Sequence, residues 1–555
     1  MKYTTVTVVA NVVDEKTKKH FAVLKFKPDG KRSFRKLVEL AELLKPYKMF
    51  DLLRNWGVKI PVENKDALRF LEKNILTPQA VPPTKTMRHQ TGWFGDREFV
   101  MKDQTINQIR STAVHYSQFS ASPVNGVKTS RSLAEWKKSL ALITGSSRIG
   151  LFMMAHAFSG PLLRFLLAGP DQPIFNLRQK TSCGKTSLLL LGHTIFGEIS
   201  GSSDLTTFDH TARALEEILM DHNDLFVAFD EENRSGGTDD SATGNAVLRK
   251  FGFIAAAGRG RRRSNSVGDI LPEASWHCAI GTSSNRKTSN TTGEDESNSP
   301  SGVRWIDLLV GDSNSGGIFD RKDCNFDVDR RNRILNKSIA GCLENQGTAG
   351  REWLKHLVDT DKRQEILTHT RLAQKSFIKK YSVGLTNAQF RILSKFALVY
   401  AVASVLPDLG IVPWSKLEGE AAVRYVYMGY IRERRSEYVD KKIILNKVAK
   451  LISNTDDYPS FSRARSRWSK AKQTVPGFNT TFKDERIICL TVEGFNLLAK
   501  KFEISSEALE AILRAEKLMM RDADGKWSIF TKSPESAKRK RYIALRLNAL
   551  KAVSK

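Results

Sequence analysis

The sequence predicts an α/β fold of the P-loop kind, built on a parallel sheet. A small α+β N-terminal domain precedes it and a basic, winged-helix-like C-terminal domain follows it. Three observations predict this. Residues 176–195 read NLRQKTSCGKTSLLLLGHTI: the end of an apolar strand, a polar loop, and an apolar helix opening at Gly184-Lys185-Thr186. Residues 225–232 read LFVAFDEE, a continuous apolar run ending in acids, which suits a strand buried on both faces. The last fifth of the chain alternates basic and apolar residues, as in FSRARSRWSKAKQ and SAKRKRYIALRLNALK.

The first run has the form of the second half of a phosphate-binding loop. Such a loop aims backbone N–H groups and a helix N-terminus at phosphates, places a lysine on the outer ones, and ligates Mg²⁺ with a hydroxyl. Ser182, Cys183, Gly184, Lys185, Thr186 and Ser187 are therefore the candidate nucleotide-binding residues, with Thr186 also a metal ligand. The full pattern has glycine where this chain has Gln179. The second run supplies the acids. Asp230 is placed to hold Mg²⁺, and Glu231 to polarise an attacking water. Open parallel sheets bind ligands at the carboxyl ends of their strands, where both runs would end.

Length and composition bound the rest. A chain of 555 residues exceeds one hydrophobic core and suggests about three or four domains. The 41% hydrophobic fraction is ordinary for a globular protein. No uninterrupted apolar run of membrane-spanning length is read, since MMAHAFSGPLLRFLLAG is broken by His156, Ser159, Pro161 and Arg164. The N-terminus lacks the order of a signal peptide. The five cysteines, at 183, 278, 324, 342 and 489, form no C-x-x-C pair, so the expected compartment is reducing cytosol. Cys183, inside the loop, is expected to confer sensitivity to thiol reagents.

Charge speaks to partners. The chain has 88 basic and 60 acidic residues, a formal +28. Lys441 to Lys555 holds 25 basic against 12 acidic residues, a net +13. A localised excess of that size points to a polyanion.

Four zones separate along the chain. Residues 1–85 open on alternating runs, TTVTVVANVV and HFAVLKFK, that read as a β-hairpin, followed by helical patterns. Residues 86–131 read as short connecting strands. Residues 132–437 would hold the core and its helical extension. There Ser132 is a candidate N-cap with Glu135 three residues on. Residues 440–555 would form the last domain. An amphipathic helix at ILNKVAKLISN, a second at SSEALEAILRAEKLMM and an Asp-Gly hairpin turn in RDADGKWSIFTKS give a helix, helix, wing order. Lys538, Arg539, Lys540 and Arg541 follow as candidate DNA contacts. A basic oligomerisation domain is the alternative. The Ser/Thr/Asn-rich stretch Asn285 to Gly302 reads as a loop.

The order of motifs resembles the domain-of-unknown-function 927 family, helicase-like AAA+ ATPases of bacterial mobile elements and phages. The resemblance is carried by GWFGDREFV, then LAEWKKSLALITGSSRIGLFMMAHAFSGPLLRFL, TSCGKTS and ARALEEILMDHNDLFVAFDEE. AAAGRGRRRSNSVGD, WHCAIGTSSN and GVRWIDL follow. It spans roughly residues 90 to 435. The WHCAIGTSSN strand departs from the family's Ser-Thr-Gly-Glu ending. The resemblance implies an AAA+-like ATPase core with ATP and Mg²⁺ as cofactors, in a hexameric ring in the host cytosol with no membrane association. An arginine reaching a neighbour's γ-phosphate is a common device in such rings. Arg304 and Arg249 are both candidates. Thr282 or Ser283 could sense the γ-phosphate by a hydroxyl, Asn285 by an amide.

Arg259, Arg261, Arg262 and Arg263 crowd one Gly-punctuated run. So many like charges exclude a buried site. In a ring they would face a pore and grip phosphates of single-stranded DNA, while the C-terminal domain would engage duplex DNA. The expected function is an ATP-dependent DNA helicase or translocase in replication of a mobile genetic element or phage. The alternatives are a replication initiator or DNA-remodelling switch without processive unwinding, a small-molecule P-loop kinase, and a non-enzymatic nucleic-acid binder.

Overall fold

The computed structural model describes residues 3–28, 33–76, 81–116, 131–167, 171–179, 182–197, 199–208, 210–230, 251–262, 273–285, 303–313, 315–321, 323–324, 326–382, 385–434, 441–452, 477–502, 506–522, 524–533 and 536–549. They divide into two compact units. The first comprises 1–382 and 387–429, the second 383–386 and 430–555.

The first unit begins with the expected hairpin, β1 (Val6–Asp14) and β2 (His20–Phe26), extended by β3 (Phe34–Glu39). β1 alternates buried and less buried residues, the period of a sheet with one covered face. The helices Pro46–Asn55 and Asn64–Leu71 supply the cover. Met49, Phe50, Leu53 and Leu71 join Val6, Leu24 and Phe26 in one core. β4 (Thr84–Arg88) and β8 (Ala113–His115) add parallel strands, giving the order β3-β2-β1-β4-β8. The boundary expected near residue 85 therefore falls inside a sheet. Between β4 and β8, β5 (Gly92–Phe94), β6 (Glu98–Val100) and β7 (Thr105–Asn107) form a small antiparallel sheet.

The helix Leu133–Thr144 starts as the sequence expects, with Ser132 Oγ accepting from the Glu135 N–H at 3.3 Å. The helix Arg148–Phe158 is buried over nearly its whole length. It lies against a five-stranded sheet in which every pair is parallel. The strands are β9 (Ile174–Arg178), β10 (Thr206–Thr207), β11 (Phe226–Asp230), β12 (Ala279–Ser284) and β13 (Trp305–Leu309), in the order β10-β11-β12-β9-β13. Both apolar runs read from the sequence are central strands, as their lack of alternation requires. β10 pairs with only two residues of β11, Phe229 and Asp230. Further back along this edge the Ala228 N–H donates to His193 Nε2 at 3.1 Å.

Helices dominate from residue 328 to 433. One correction concerns hydropathy. Asn387–Leu409 is long and apolar enough to cross a membrane, though 78% of its window is buried inside the fold. Phe396 from this helix packs on Phe152 and Phe175, which makes it a core helix here.

The second unit contains the helix Lys441–Ile452, β14 (Gly477–Phe482), β15 (Glu485–Leu490), the helices Val492–Lys501 and Ser506–Ala515, β16 (Ile529–Ser533) and β17 (Ser536–Arg546). Its sheet is antiparallel, ordered β14-β15-β17-β16. The hairpin does not turn at Asp524-Gly525. Asp522 closes a tight turn there, accepting at Oδ1 from the Lys526 N–H at 2.8 Å. The β16–β17 pairing instead closes on Ser533 and Ser536. The β14–β15 hairpin was not read from the sequence, because GFNTTFKDERIICL carries no Asn-Gly or Asp-Gly signal.

Candidate nucleotide site

β9 ends at Arg178 and the helix Lys185–Thr194 begins six residues after Gln179. The turn between them is tight, with Ser182 at φ 64° and Gly184 at φ 87°. Gly184 is required twice over, because a Cβ there would also sit 2.9 Å from Ile318 Cδ1. Gly184, at the N-cap, makes no side-chain cap bond, and the helix's first N–H groups open toward the loop. Lys185 is buried, and burial lowers its pKa against the opposing charges of Cys183 and Asp230. Its Nζ donates to Gln179 O at 2.5 Å and to Asn285 Oδ1 at 3.3 Å.

Gln179 stands where glycine was expected, and the structure accounts for it. Its side chain turns sideways, donating Nε2 to Val310 O at 2.8 Å, at the end of β13. Its backbone N–H reaches Ser284 O at 3.2 Å. The residue thus ties β9 to both neighbouring strands.

Asp230 lies at the carboxyl end of β11, 8% exposed, and accepts a hydrogen bond from Ser283 Oγ. Ser283 and Asn285 thus meet the acid and the lysine respectively. Thr282 does not. Successive strand residues point to opposite faces, and Thr282, fully buried, donates Oγ1 to Asn176 Oδ1 at 2.9 Å while accepting from Trp305 Nε1 at 3.1 Å. The expected sensing hydroxyl is inside the sheet. Thr186 and Ser187 are partly buried on the first turn of the helix, and Ser182 is exposed. Glu231 and Arg249 lie outside the described residues.

The segment Gly311–Phe319 follows β13 and straps over the phosphate loop. The Ile318 N–H donates to Cys183 O at 3.0 Å, and a Cβ at Gly317 would stand 2.7 Å from that same carbonyl. Cys183 is consequently buried, and burial raises its thiol pKa. The expected sensitivity to thiol reagents is corrected by this geometry, since reaction needs an exposed thiolate. Sequence reasoning missed the strap. Its signal was the glycine cluster GDSNSGGIF directly after an apolar strand.

The basic residues lie at the other end of the sheet. Residues 258–262 run antiparallel to 273–276: Arg259 bridges Ser275, the Gly260 N–H donates to Ala274 O at 2.8 Å, and the Trp276 N–H donates to Gly258 O at 3.0 Å. Gln172, just before β9, donates its backbone N–H to Ala256 O at 3.1 Å and its side-chain Nε2 to Trp276 O at 3.4 Å, which fixes the base of this pair at the amino ends of the strands. Arg259, Arg261 and Arg262 are exposed. Arg262 sits 3.9 Å from Glu273. Arg263 lies outside the described residues. Arg304 precedes β13 at this same end, its guanidinium 5.0 Å above the Phe253 ring. It cannot serve the phosphate loop of its own chain, since β13 spans about 17 Å between them.

In the second unit, Arg539 and Lys540 are exposed on β17. Arg541 is engaged within the unit, at 3.1 Å from Asp522 and 3.0 Å from Ser528 Oγ. The side chain of Lys538 lies outside the described residues.

The residues fit Mg²⁺ and a nucleoside triphosphate. A helix N-terminus with Gly184 at its N-cap, a buried lysine bonded to Gln179 O and Asn285 Oδ1, and the Asp230 carboxylate at the end of β11 lie along one edge of the sheet.

Comparison with known proteins agrees with this architecture. A solved structure described as "SCCmec type IV Cch - active helicase" matches with a TM-score of 0.59 at 13% identity, over 100% of this chain and 96% of that one. At this identity the likeness is one of fold. The apo A form of the NrS-1 C-terminal region matches with a TM-score of 0.28 at 11% identity, over 75% of this chain and 91% of that one, too low a score to carry an argument. No curated protein matches. The family model for the domain of unknown function 927 matches residues 1–274, reaching further toward the N-terminus than the motifs did and stopping short of β12. Over those residues, just under half of the chain, the protein is similar to the domain-of-unknown-function 927 family.

Proposed function

We propose that this protein is an ATP-dependent DNA helicase or translocase that works as a ring, a hexamer by its AAA+ resemblance, in replication of a mobile genetic element or phage. One observation carries the reading: Lys185 and Asp230, from separate strand–loop elements, meet at the carboxyl edge of a parallel sheet, with Ser283 of β12 and Asn285 just after it between them. The strand order, with the phosphate-loop strand between the fourth and fifth strands of the core, supports the AAA+-like assignment. The fold shared with a solved helicase supports it further.

In this reading Lys185 neutralises the outer phosphates, and Thr186 and Asp230 hold Mg²⁺. The metal supplies charge neutralisation to the transferring phosphoryl group. Glu231 orients the water. Phosphoryl transfer is mostly positioning and electrostatics, and the preset bonds of Lys185 and Asp230 supply that. Arg304, at the opposite edge, faces a neighbouring subunit's nucleotide. Arg259, Arg261, Arg262 and Arg263 grip single-stranded DNA, and the unit from 430 onward, read as winged-helix-like, engages duplex DNA through Arg539 and Lys540. The test is ATP turnover with and without single-stranded DNA, alongside light scattering with Mg²⁺ and ATP. Strand-stimulated turnover by a ring is expected. Turnover by a monomer, indifferent to DNA, overturns the reading.

A further inference from the structure

We propose that a buried relay, Trp305–Thr282–Asn176–Ser284, couples the state of the phosphate loop to the basic segment 258–262, so that Trp305 and Thr282 are positioning residues. The inference rests on the function proposed above. Trp305 Nε1 donates to Thr282 Oγ1 at 3.1 Å, and Thr282 Oγ1 donates to Asn176 Oδ1 at 2.9 Å. Asn176 Nδ2 then donates to Ser284 Oγ at 2.8 Å and to Asp307 Oδ1 at 2.7 Å. The chain of bonds links three strands of the sheet, β13, β9 and β12, out of contact with water.

Each end touches a functional element. Ser284 O accepts from the Gln179 N–H, and its neighbours Ser283 and Asn285 hold Asp230 and Lys185. Any regrouping of Lys185 and Asp230 about a bound nucleotide therefore pulls on residues 283–285. At the other end the Trp305 indole lies against the helix that leads into Arg259. A Cβ at Gly252 would sit 3.1 Å from Trp305 Cε3, and the Phe251 ring packs on the indole at 5.7 Å. Arg304, next in sequence, rests on Phe253.

Such an arrangement transmits displacement because it cannot absorb it. Leaving a hydrogen bond unmade in a dry site is costly, so the linked groups move together. The indole is a donor only and must follow the Thr282 hydroxyl. Close packing at Gly252 leaves no slack between indole and helix.

The experiment measures affinity of the full chain for a fluorescent oligo-dT strand, with and without Mg²⁺ and a non-hydrolysable ATP analogue. Coupling of about tenfold is expected in the wild type. Trp305→Phe keeps the ring but loses the N–H. Thr282→Val loses the hydroxyl at similar volume, and Thr282→Ser keeps it. Trp305→Phe and Thr282→Val should reduce the ratio to less than about twofold and Thr282→Ser should restore it, while each ligand alone binds near its wild-type affinity. Should Thr282→Val fail to fold, Trp305→Phe decides. Retention of the wild-type ratio in Trp305→Phe overturns the relay and leaves the proposed function standing. So does a wild-type ratio of one with both ligands bound. A wild-type chain that binds neither ligand overturns both.

Discussion

The backbone N–H of Trp93 donates to Asp224 Oδ2 at 3.0 Å, across 131 residues of sequence. This bond joins two signatures that the sequence presents apart, Thr91-Gly92-Trp93 and His222-Asn223-Asp224. Asn223 Nδ2 donates to Thr91 O at 2.9 Å, and Thr91 Oγ1 donates back to Asn223 O at 2.9 Å. Together they clasp the small β5–β6–β7 sheet to the core.

Gly92 admits no side chain in this clasp. Its φ is 103°, and a Cβ would overlap the Asn223 amide and the Asp224 carboxylate. Gly92→Ala should destabilise the first unit by about 3 kcal/mol, read by denaturant unfolding. A loss within experimental error would mean the clasp is loose.

Asp224 makes the clasp sensitive to pH. Burial pushes its pKa up to about 7, against the opposing Trp93 N–H and the charges of Arg164 and Arg88. Between the ordinary carboxylate value and about 7 the folded chain holds a proton that the unfolded chain has released. The stability from this group is therefore full below the unfolded pKa and lost as pH rises through about 7. Asp224→Asn, which mimics the protonated form, should gain on the wild type in thermal midpoint as pH rises from 5 to 8. The buried His156 and His193, held to about 4, work the other way in both proteins and cancel from the difference. A gap that stays constant with pH would show that Asp224 does not titrate there.

Lys185→Ala should lower ATP turnover by roughly a hundredfold, since it removes the cation that is to neutralise the outer phosphates. Glu231→Gln should keep nucleotide binding and block hydrolysis. Turnover and binding of a fluorescent nucleotide, measured in parallel, separate the two. Normal turnover in both variants places the chemistry elsewhere.

The strap over Cys183 predicts slow reaction with maleimide in the wild type. Gly317→Ala would drive a Cβ against the Cys183 carbonyl and lift the strap. Labelling at Cys183, located by peptide mass analysis, should then rise about tenfold or more while turnover falls. Equal labelling in both proteins would mean that the strap does not shield the thiol.

Neutralising Arg259, Arg261 and Arg262 together should weaken single-strand binding and flatten its salt dependence by about two logarithmic units per decade, three contacts at roughly 0.7 each. Basal turnover should persist, because these residues sit at the opposite edge from Lys185. Binding measured over a salt series tests it, and an unchanged slope with lost basal turnover would assign the arginines to ATP.

Much of the core was legible because local pattern and tertiary role coincide there. A short apolar run with no alternation, ended by polar residues, suits a strand covered on both faces, so β9 and β11 were identified correctly. Ser132 capped its helix as its position required. What failed was long-range. Nothing near Thr282 reveals which face it takes, since that depends on Asn176 and Trp305, more than 20 residues away in each direction. Gln179 looked like a defect in a motif until Val310 appeared beside it. Cys183 looked reactive because its cover comes from a segment about 130 residues on. The Asp-Gly turn was real but closed on Asp522 alone, and the hairpin formed downstream of it.

The imidazole of His193 stands in for a missing stretch of strand beside β11, and this makes the sheet edge conditional on acid. Nε2 can accept the Ala228 N–H only while it carries no proton, and burial keeps it so down to about pH 4. Below that, the ring must charge in place or leave, and β11 then offers an unsatisfied amide beside a two-residue neighbour. The atom that completes the sheet at neutral pH thus also makes the order of this buried edge depend on acid.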